Sequence, residues 1–358
     1  MSNTFHEDPV LIRRDGRAGW IVLNRPKALN ALTHEMVGRI AAALDTWEQD
    51  DAVELVVITG AGERGLCAGG DIRAIHEDAL SGDGEATRLF WRDEYRLNAR
   101  IARYPKPYVA VMDGIVMGGG VGVSAHGSVR IVTERTRIAM PETGIGLVPD
   151  VGGTHLLARA PGELGTHLAL TAGAVGAGDA LLCGLADHFV PSDRLEAFFA
   201  DLAEHDLLKV LERHTAQPPE AALAGHRPWI DACYAADTVE RVLDNLAGSG
   251  HPVAAEAALQ IAAKSPTAVK VALAALRRSR RLGTLEAVLD QEFRVSCQAL
   301  VSPDLPEGIR AQVIDKDRSP RWNPASLAAV TDEAVARFFA PLGDRELGLA
   351  PTPLLEQT

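Results

Sequence analysis

Along the first half of the chain, apolar residues come in short runs rich in β-branched side chains and closed by turn formers. Trp20–Asn24 (WIVLN), Glu54–Gly60 (ELVVITG), Tyr108–Gly114 (YVAVMDG), Val129–Met140 (VRIVTERTRIAM) and Ala186–Pro191 (ADHFVP) each read as a buried strand. Between them the period changes to that of a helix. Met36, Ile40, Leu44 and Trp47 fall on one face of His34–Asp50, and Thr87–Tyr104 carries a comparable stripe. Strand and helix in alternation predict an α/β lobe.

After about Ala216 the texture becomes Ala-rich helical pieces parted by Pro and Gly. Ser265 and Pro266 stand as N-cap and first residue of one helix, and Gly283 as its stop. No convincing strand follows, so the chain divides into an α/β core over residues 1–215 and a helical C-terminal region over 216–358. No low-complexity tract and no short-period repeat interrupts either part.

Two stretches break the hydrophobic pattern with glycine, Gly65–Glu77 (GLCAGGDIRAIHE) and Gly114–Gly127 (GIVMGGGVGVSAHG). A Gly in regular structure costs roughly 0.5–1 kcal/mol relative to Ala, so such clusters mark either a tight turn with close packing or a ligand against bare backbone. The residues alone leave both open. Gly60–Gly65 (GAGERG) matches G-x-G-x-x-G after a strand, but no helix opens directly behind it, which argues against a dinucleotide site. Ser124 lacks the spacing of a nucleophile elbow. Ala139–Arg159 (AMPETGIGLVPDVGGTHLLAR) sets Glu142 and Asp150 in a Gly/Pro-rich connection between a strand and a helix, where either active-site groups or a helix cap and a loop carboxylate would fit.

Composition removes several classes of function. With 358 residues, 47% of them apolar, the chain can bury a large core. A formal charge of −12 argues against nucleic acid or an anionic membrane surface as partner, and any polyanionic ligand must be met by local Lys and Arg. The cysteines, Cys67, Cys183, Cys233 and Cys297, are far apart, which fits a reducing compartment and an expected cytoplasmic location. No zinc spacing and no H-E-x-x-H occurs, so no metal is expected. The N-terminus has no apolar signal core, and no stretch approaches membrane-spanning length.

Taken together, Leu23–Leu32 (LNRPKALNAL), Cys67–Ile72 (CAGGDI), Met117–Gly122 (MGGGVG) and Met140–Gly153 (MPETGIGLVPDVGG) resemble, in order and spacing, the crotonase (enoyl-CoA hydratase/isomerase) superfamily. Trp91–Asn98 (WRDEYRLN), Pro149–Gly153 (PDVGG) and Ile314–Pro324 (IDKDRSPRWNP) extend the likeness over nearly the whole chain, toward the branch that hydrolyses short branched 3-hydroxyacyl-CoA thioesters. The resemblance implies a crotonase-like right-handed spiral of ββα turns with two nearly perpendicular sheets. Helices follow it that cover the site or mediate trimers, so a trimeric or hexameric homo-oligomer is the expected range. It implies backbone N–H donors at Ala68 and Gly119 for the thioester oxygen. It makes Glu142 the nucleophile or general base and Asp150 the group that orients the substrate hydroxyl or the attacking water, with Glu94 near the acyl group.

Gly70 and Asp71 belong to the substrate-binding turn, where Asp71 is expected to bond backbone N–H groups. Arg25, Lys27, Ala28 and Arg73 are the candidates for holding CoA, which enters as part of the substrate; no separate cofactor is implied. The first of the two glutamates that a hydratase uses would stand at Gly122, which has no side chain to do acid or base work. Hydrolysis is therefore the expected reaction. The alternatives are an enoyl-CoA hydratase or isomerase, or a CoA-binding protein without catalysis.

Overall fold

The computed structural model describes residues 8–350. Ten strands form two sheets: β1 (Val10–Asp15), β2 (Ala18–Leu23), β3 (Leu55–Gly60), β4 (Gly65–Cys67), β5 (Tyr108–Met112), β6 (Ile115–Met117), β7 (Val129–Val132), β8 (Arg137–Ala139), β9 (Ala174–Val175) and β10 (His188–Phe189). The larger sheet has the order β1-β2-β3-β5-β7-β10 and the smaller β4-β6-β8-β9. Successive strand pairs β3/β4, β5/β6 and β7/β8 each give one strand to either sheet before helical structure intervenes, which is a ββα repeat. Apart from the β1/β2 hairpin and the β8/β9 pair the strands run parallel. Parallel pairing explains the continuous apolar runs, since both faces of such strands are buried.

The predicted run Val129–Met140 is two strands, not one. Thr136 turns the chain: its Oγ1 accepts the Thr133 N–H at 2.8 Å and donates to Met112 O at 2.6 Å, so β7 and β8 part into different sheets. The helix His34–Glu48 is as predicted, with Met36, Ile40, Leu44 and Trp47 buried and Thr33 capping its start. One face of the large sheet, including Trp20, Val57, Val109 and Ile131, packs with Phe198 and Leu202 of the helix Leu195–Glu204.

The chain forms two compact units that interleave along the sequence. The first comprises residues 8–71, Arg100–Ala139 and Ala174–Gly225 and holds all ten strands. The second comprises Ile72–Ala99, Met140–Gly173 and residues 226–350 and is helical. Two segments of the expected core, 72–99 and 140–173, thus pack with the C-terminal helices, because their apolar stripes are covered there. In the second unit the helix Pro266–Leu282 packs on Gly153–Arg159 and Leu164–Thr171. Its predicted signals hold: Ser265 Oγ accepts the Ala268 N–H at 3.0 Å, Pro266 is in the first turn and Gly283 ends the helix at φ 77°. Among the described residues every element after His214 is helical.

Candidate active site

In the first unit the two glycine clusters lie backbone against backbone. A Cβ on Gly69, whose φ is +112°, would stand 3.3 Å from Met117 O and 3.7 Å from Gly119 N; one on Gly120 would stand 2.6 Å from Cys67 O. Close packing therefore accounts for these glycines, and it has a chemical consequence, because the amides gathered there are bare.

Gly119 opens the short helix Gly119–Gly122 and has no intrahelical acceptor for its N–H. In the other cluster the expected donor is corrected. Ala68 N–H donates to Leu29 O at 3.0 Å, so that amide is already used. The chain then runs parallel to Leu32, which takes the Gly69 C=O and the Asp71 N–H at 2.8 Å each. Gly70 N–H lies between these two and faces the other way, with no partner among the described residues. The bare pair is Gly70 and Gly119.

Asp71 also differs from expectation: its carboxylate binds a side chain rather than turn amides. Arg25 Nη2 donates to Asp71 Oδ2 at 3.0 Å, and Arg25 N–H donates to Asn30 Oδ1 at 2.9 Å. Asn30 in turn donates through Nδ2 to Gly65 O and Leu66 O, which ties the Leu23–Leu32 motif to β4. Arg25, Lys27 and Ala28 come together on one groove of about 630 Å³, with Arg39 on its wall. Arg73 belongs to the second unit, where its guanidinium donates to Val313 O at 2.8 Å.

The second unit brings Glu94, Glu142 and Asp150 together as buried carboxyls, each at most 5% exposed. Glu142 starts a 3₁₀ turn directly after Pro141, and the turn closes at Gly146, φ 77°. Glu94 lies on the helix Glu85–Ala102, next to Tyr95. Burial raises Glu142 and Glu94 well above the ordinary carboxylate range, and the charge of Asp150 raises both further. Asp150 itself is pushed up by burial to about 6, less far, because it accepts the Tyr95 hydroxyl at 2.7 Å. Glu94 Oε1 and Glu142 Oε2 are buried with no hydrogen-bond partner among the described residues. Unpaired carboxyl oxygens in a shielded place are costly unless a ligand or water meets them.

The turn that carries Asp150 is conformationally demanding. Val151 is left-handed at φ 52°, an unusual state for a β-branched residue, costing about 1–3 kcal/mol. Gly152 follows at φ 81° as N-cap of the helix Gly153–Arg159. Glu292 braces this turn from the helix Leu285–Leu300, accepting Gly152 N–H at 2.6 Å and Thr154 N–H at 2.9 Å. Asp150 is thus no cap for that helix, which settles one of its two readings. Tyr95, Glu292 and Ser296 were missed by sequence reasoning. A usable signal exists: Glu292 falls on the same helical stripe as Leu285, Val288, Leu289 and Val295, where a carboxylate is out of place.

A family model described as enoyl-CoA hydratase/isomerase matches residues 18–339. The 3-hydroxyisobutyryl-CoA hydrolase, mitochondrial, of Rattus norvegicus is 44% identical, over 97% of this chain and 92% of its own length. The protein of the same name from Homo sapiens is 42% identical, over 95% and 90%. Among solved structures, a carnitinyl-CoA dehydratase from Mycobacterium thermoresistibile is 52% identical, with TM-score 0.93 over 96% of this chain and 99% of that one. An enoyl-CoA hydratase from Rhodobacter sphaeroides 2.4.1 is 46% identical, with TM-score 0.90 over 95% and 99%.

Proposed function

The chain belongs to the enoyl-CoA hydratase/isomerase family, and from that premise we propose that it hydrolyses 3-hydroxyisobutyryl-CoA to 3-hydroxyisobutyrate and CoA, a step of valine breakdown. The names of its relatives divide between hydrolase and hydratase or dehydratase. The observation that separates them is Gly122, buried at the end of the short helix Gly119–Gly122, at the position where the family resemblance puts the first glutamate of a hydratase. With one catalytic glutamate absent, the remaining acids suit attack on the thioester carbonyl rather than addition of water across a double bond.

In this reading the Gly70 and Gly119 amides hold the carbonyl oxygen as negative charge builds on it. Each such donor is typically worth about 2.7–4 kcal/mol in the transition state. Glu142 either attacks the carbonyl carbon, forming an anhydride that water then opens, or takes the proton from a water that attacks directly. Both routes consume one water and release the acid and the CoA thiol. A raised pKa makes the ionised Glu142 a stronger base than a solvated glutamate. The leaving thiolate, with a pKa near the reference of about 8.5, departs without a strong general acid. Asp150 and Glu94 orient the 3-hydroxyl or the water, and a site built to bond that hydroxyl rejects analogues lacking it.

The groove with Arg25, Lys27 and Ala28 is the reading's place for the CoA phosphates. Arg73 is a weaker candidate, since its guanidinium serves a backbone carbonyl. Trimers or hexamers remain the assembly proposed from the family. No helix among the described residues is long and apolar enough to cross a membrane. The four cysteines are buried and unbridged, as a reducing compartment allows, whether cytoplasm or the mitochondrial location in the relatives' names.

The test is a panel of CoA thioesters offered to purified protein, with free thiol read by a dye and crotonyl-CoA hydration read by loss of its enoyl absorbance. Thiol release from 3-hydroxyisobutyryl-CoA without crotonyl-CoA hydration is the expected result. The reverse pattern overturns the proposal in favour of a hydratase, and silence on every thioester favours a binding protein.

A further inference from the structure

The helix Leu285–Leu300 lies outside every stretch that carried the sequence resemblance, yet two of its residues reach the turn bearing Asp150. Glu292 and Ser296 stand one helical turn apart, both fully buried. Glu292 Oε2 accepts Gly152 N–H at 2.6 Å, while Oε1 accepts both the Thr154 N–H at 2.9 Å and the Thr154 hydroxyl at 2.5 Å. Thr154 Oγ1 is within 3.0 Å of Ser279 Oγ, which donates to Ala275 O. Ser296 Oγ lies 2.8 Å from Tyr95 Oη, the group that donates to Asp150.

Helix capping alone does not explain such an arrangement. The helix that Glu292 caps has only seven residues, and short helices are ordinarily capped by a local Ser, Thr, Asp or Asn at no cost in buried charge. Here the cap position is Gly152, left-handed and without a side chain, because the bend through Val151 and Gly152 requires it. The chain instead commits a fully buried carboxyl from 140 residues away, among Asp150, Glu142 and Tyr95, whose charges it feels or perturbs. A buried acid among acids is unfavourable for stability and is accounted for by what it holds in place.

We propose that Glu292 is a positioning residue: by grasping the amides of Gly152 and Thr154 it fixes the left-handed bend and so aims the Asp150 carboxylate at the substrate. Thr154 completes the grip, and Ser296 works on the same carboxylate through Tyr95. The inference rests on the reading that Asp150 serves thioester hydrolysis.

The experiment compares D150N, E292Q, T154A and T154S by thiol release from 3-hydroxyisobutyryl-CoA, with thermal midpoints measured alongside. E292Q keeps the size of the side chain but turns an NH₂ group toward N–H donors. Misplacing a reacting group by about 1 Å costs on the order of 100-fold, so folded E292Q is expected to lose about 10- to 100-fold in kcat with KM within about threefold of wild type. T154A should lose less, and T154S, which restores the hydroxyl, should recover most of the turnover.

Wild-type kcat in folded E292Q, with D150N inactive, overturns the positioning role and leaves Asp150 in place. Wild-type activity in D150N instead overturns the reading of Asp150 beneath it. Should E292Q fail to fold, T154A decides: unchanged kcat there, or no recovery in T154S, refutes the proposal.

Discussion

Tyr95 Oη stands 2.7 Å from Asp150 Oδ2 and donates to it, inside a region where burial pushes the phenol's own pKa up and so keeps its proton in place. The bond favours the ionised form of Asp150, which burial otherwise disfavours. Tyr95→Phe removes it, so the Asp150 pKa should rise above about 6. If ionised Asp150 orients the reaction, the acid limb of the kcat profile moves to higher pH, and turnover at pH 6 falls more than at pH 8. An acid limb that stays put in the Phe variant would separate Asp150 from the rate profile.

Glu142 combines a buried, unpaired carboxyl oxygen with a raised pKa, the environment of an acid that does chemistry rather than one that binds a neighbour. Glu142→Gln keeps the shape and removes the base or nucleophile. The expected loss in kcat is at least about 10²- to 10⁴-fold, the range that general acid–base groups contribute, with KM little changed. A variant within tenfold of wild type would remove Glu142 from the central role.

The contact between the glycine clusters gives a structural prediction with an internal control. A Cβ at Gly120 meets Cys67 O at 2.6 Å, a backbone atom that cannot swing aside, so Gly120→Ala must displace the Cys67–Gly70 segment and its bare amide. Overpacking of this kind costs about 1–3 kcal/mol, and turnover should fall by more than the loss of folded protein explains. Gly225, exposed on the helix Ala222–Tyr234 with nothing within 4 Å of a would-be Cβ, should tolerate Ala and gain about 0.5–1 kcal/mol. Equal melting curves and equal turnover for the two variants would contradict the packing described.

How much of this was legible beforehand depends on the length and chemistry of each element. The long apolar runs at β2, β3 and β5 announce themselves, whereas β4 and β6 have three residues each, too few to show a period, and stand beside glycines. The turn at Thr133–Thr136 hides inside a strand-like run because threonine is a good strand former. Only its side-chain bond to Met112 O reveals the bend.

Glu142 and Asp150 were visible as acids in a Gly/Pro loop, but Ala68 and Gly70 could not be told apart, since which amide stays bare depends on pairing with Leu29–Leu32. Glu94 was legible only through the resemblance of Trp91–Asn98, because an acid on an amphipathic helix ordinarily faces solvent, whereas here it is buried beside Trp91 and Tyr95. Nothing local in the sequence joins Glu292 to a turn 140 residues earlier.

The buried acids also set how stability changes with pH. Glu292 is raised by burial from 4.5 to about 8, and Glu94 and Glu142 are raised well above their ordinary value. An acid whose folded pKa lies above its unfolded one keeps, in the folded state, a proton that the unfolded chain has released. Between the two values the folded state binds more protons, so stability falls as pH rises.

His167, lowered by burial to about 4, has the opposite sign, but its effect is confined to the span from about 4 to 6.5, below which both states are protonated and above which both are neutral. The window from pH 6.5 to 8 therefore belongs to the carboxyls. The thermal midpoint should decline steadily across it, and Glu292→Gln should flatten that decline because one of the titrating acids is gone. Scanning calorimetry at pH 6.5, 7.25 and 8 checks both; a midpoint that stays level or rises over this range would mean that these acids are already ionised in the folded protein, and the electrostatic account of Glu142 would fall with them.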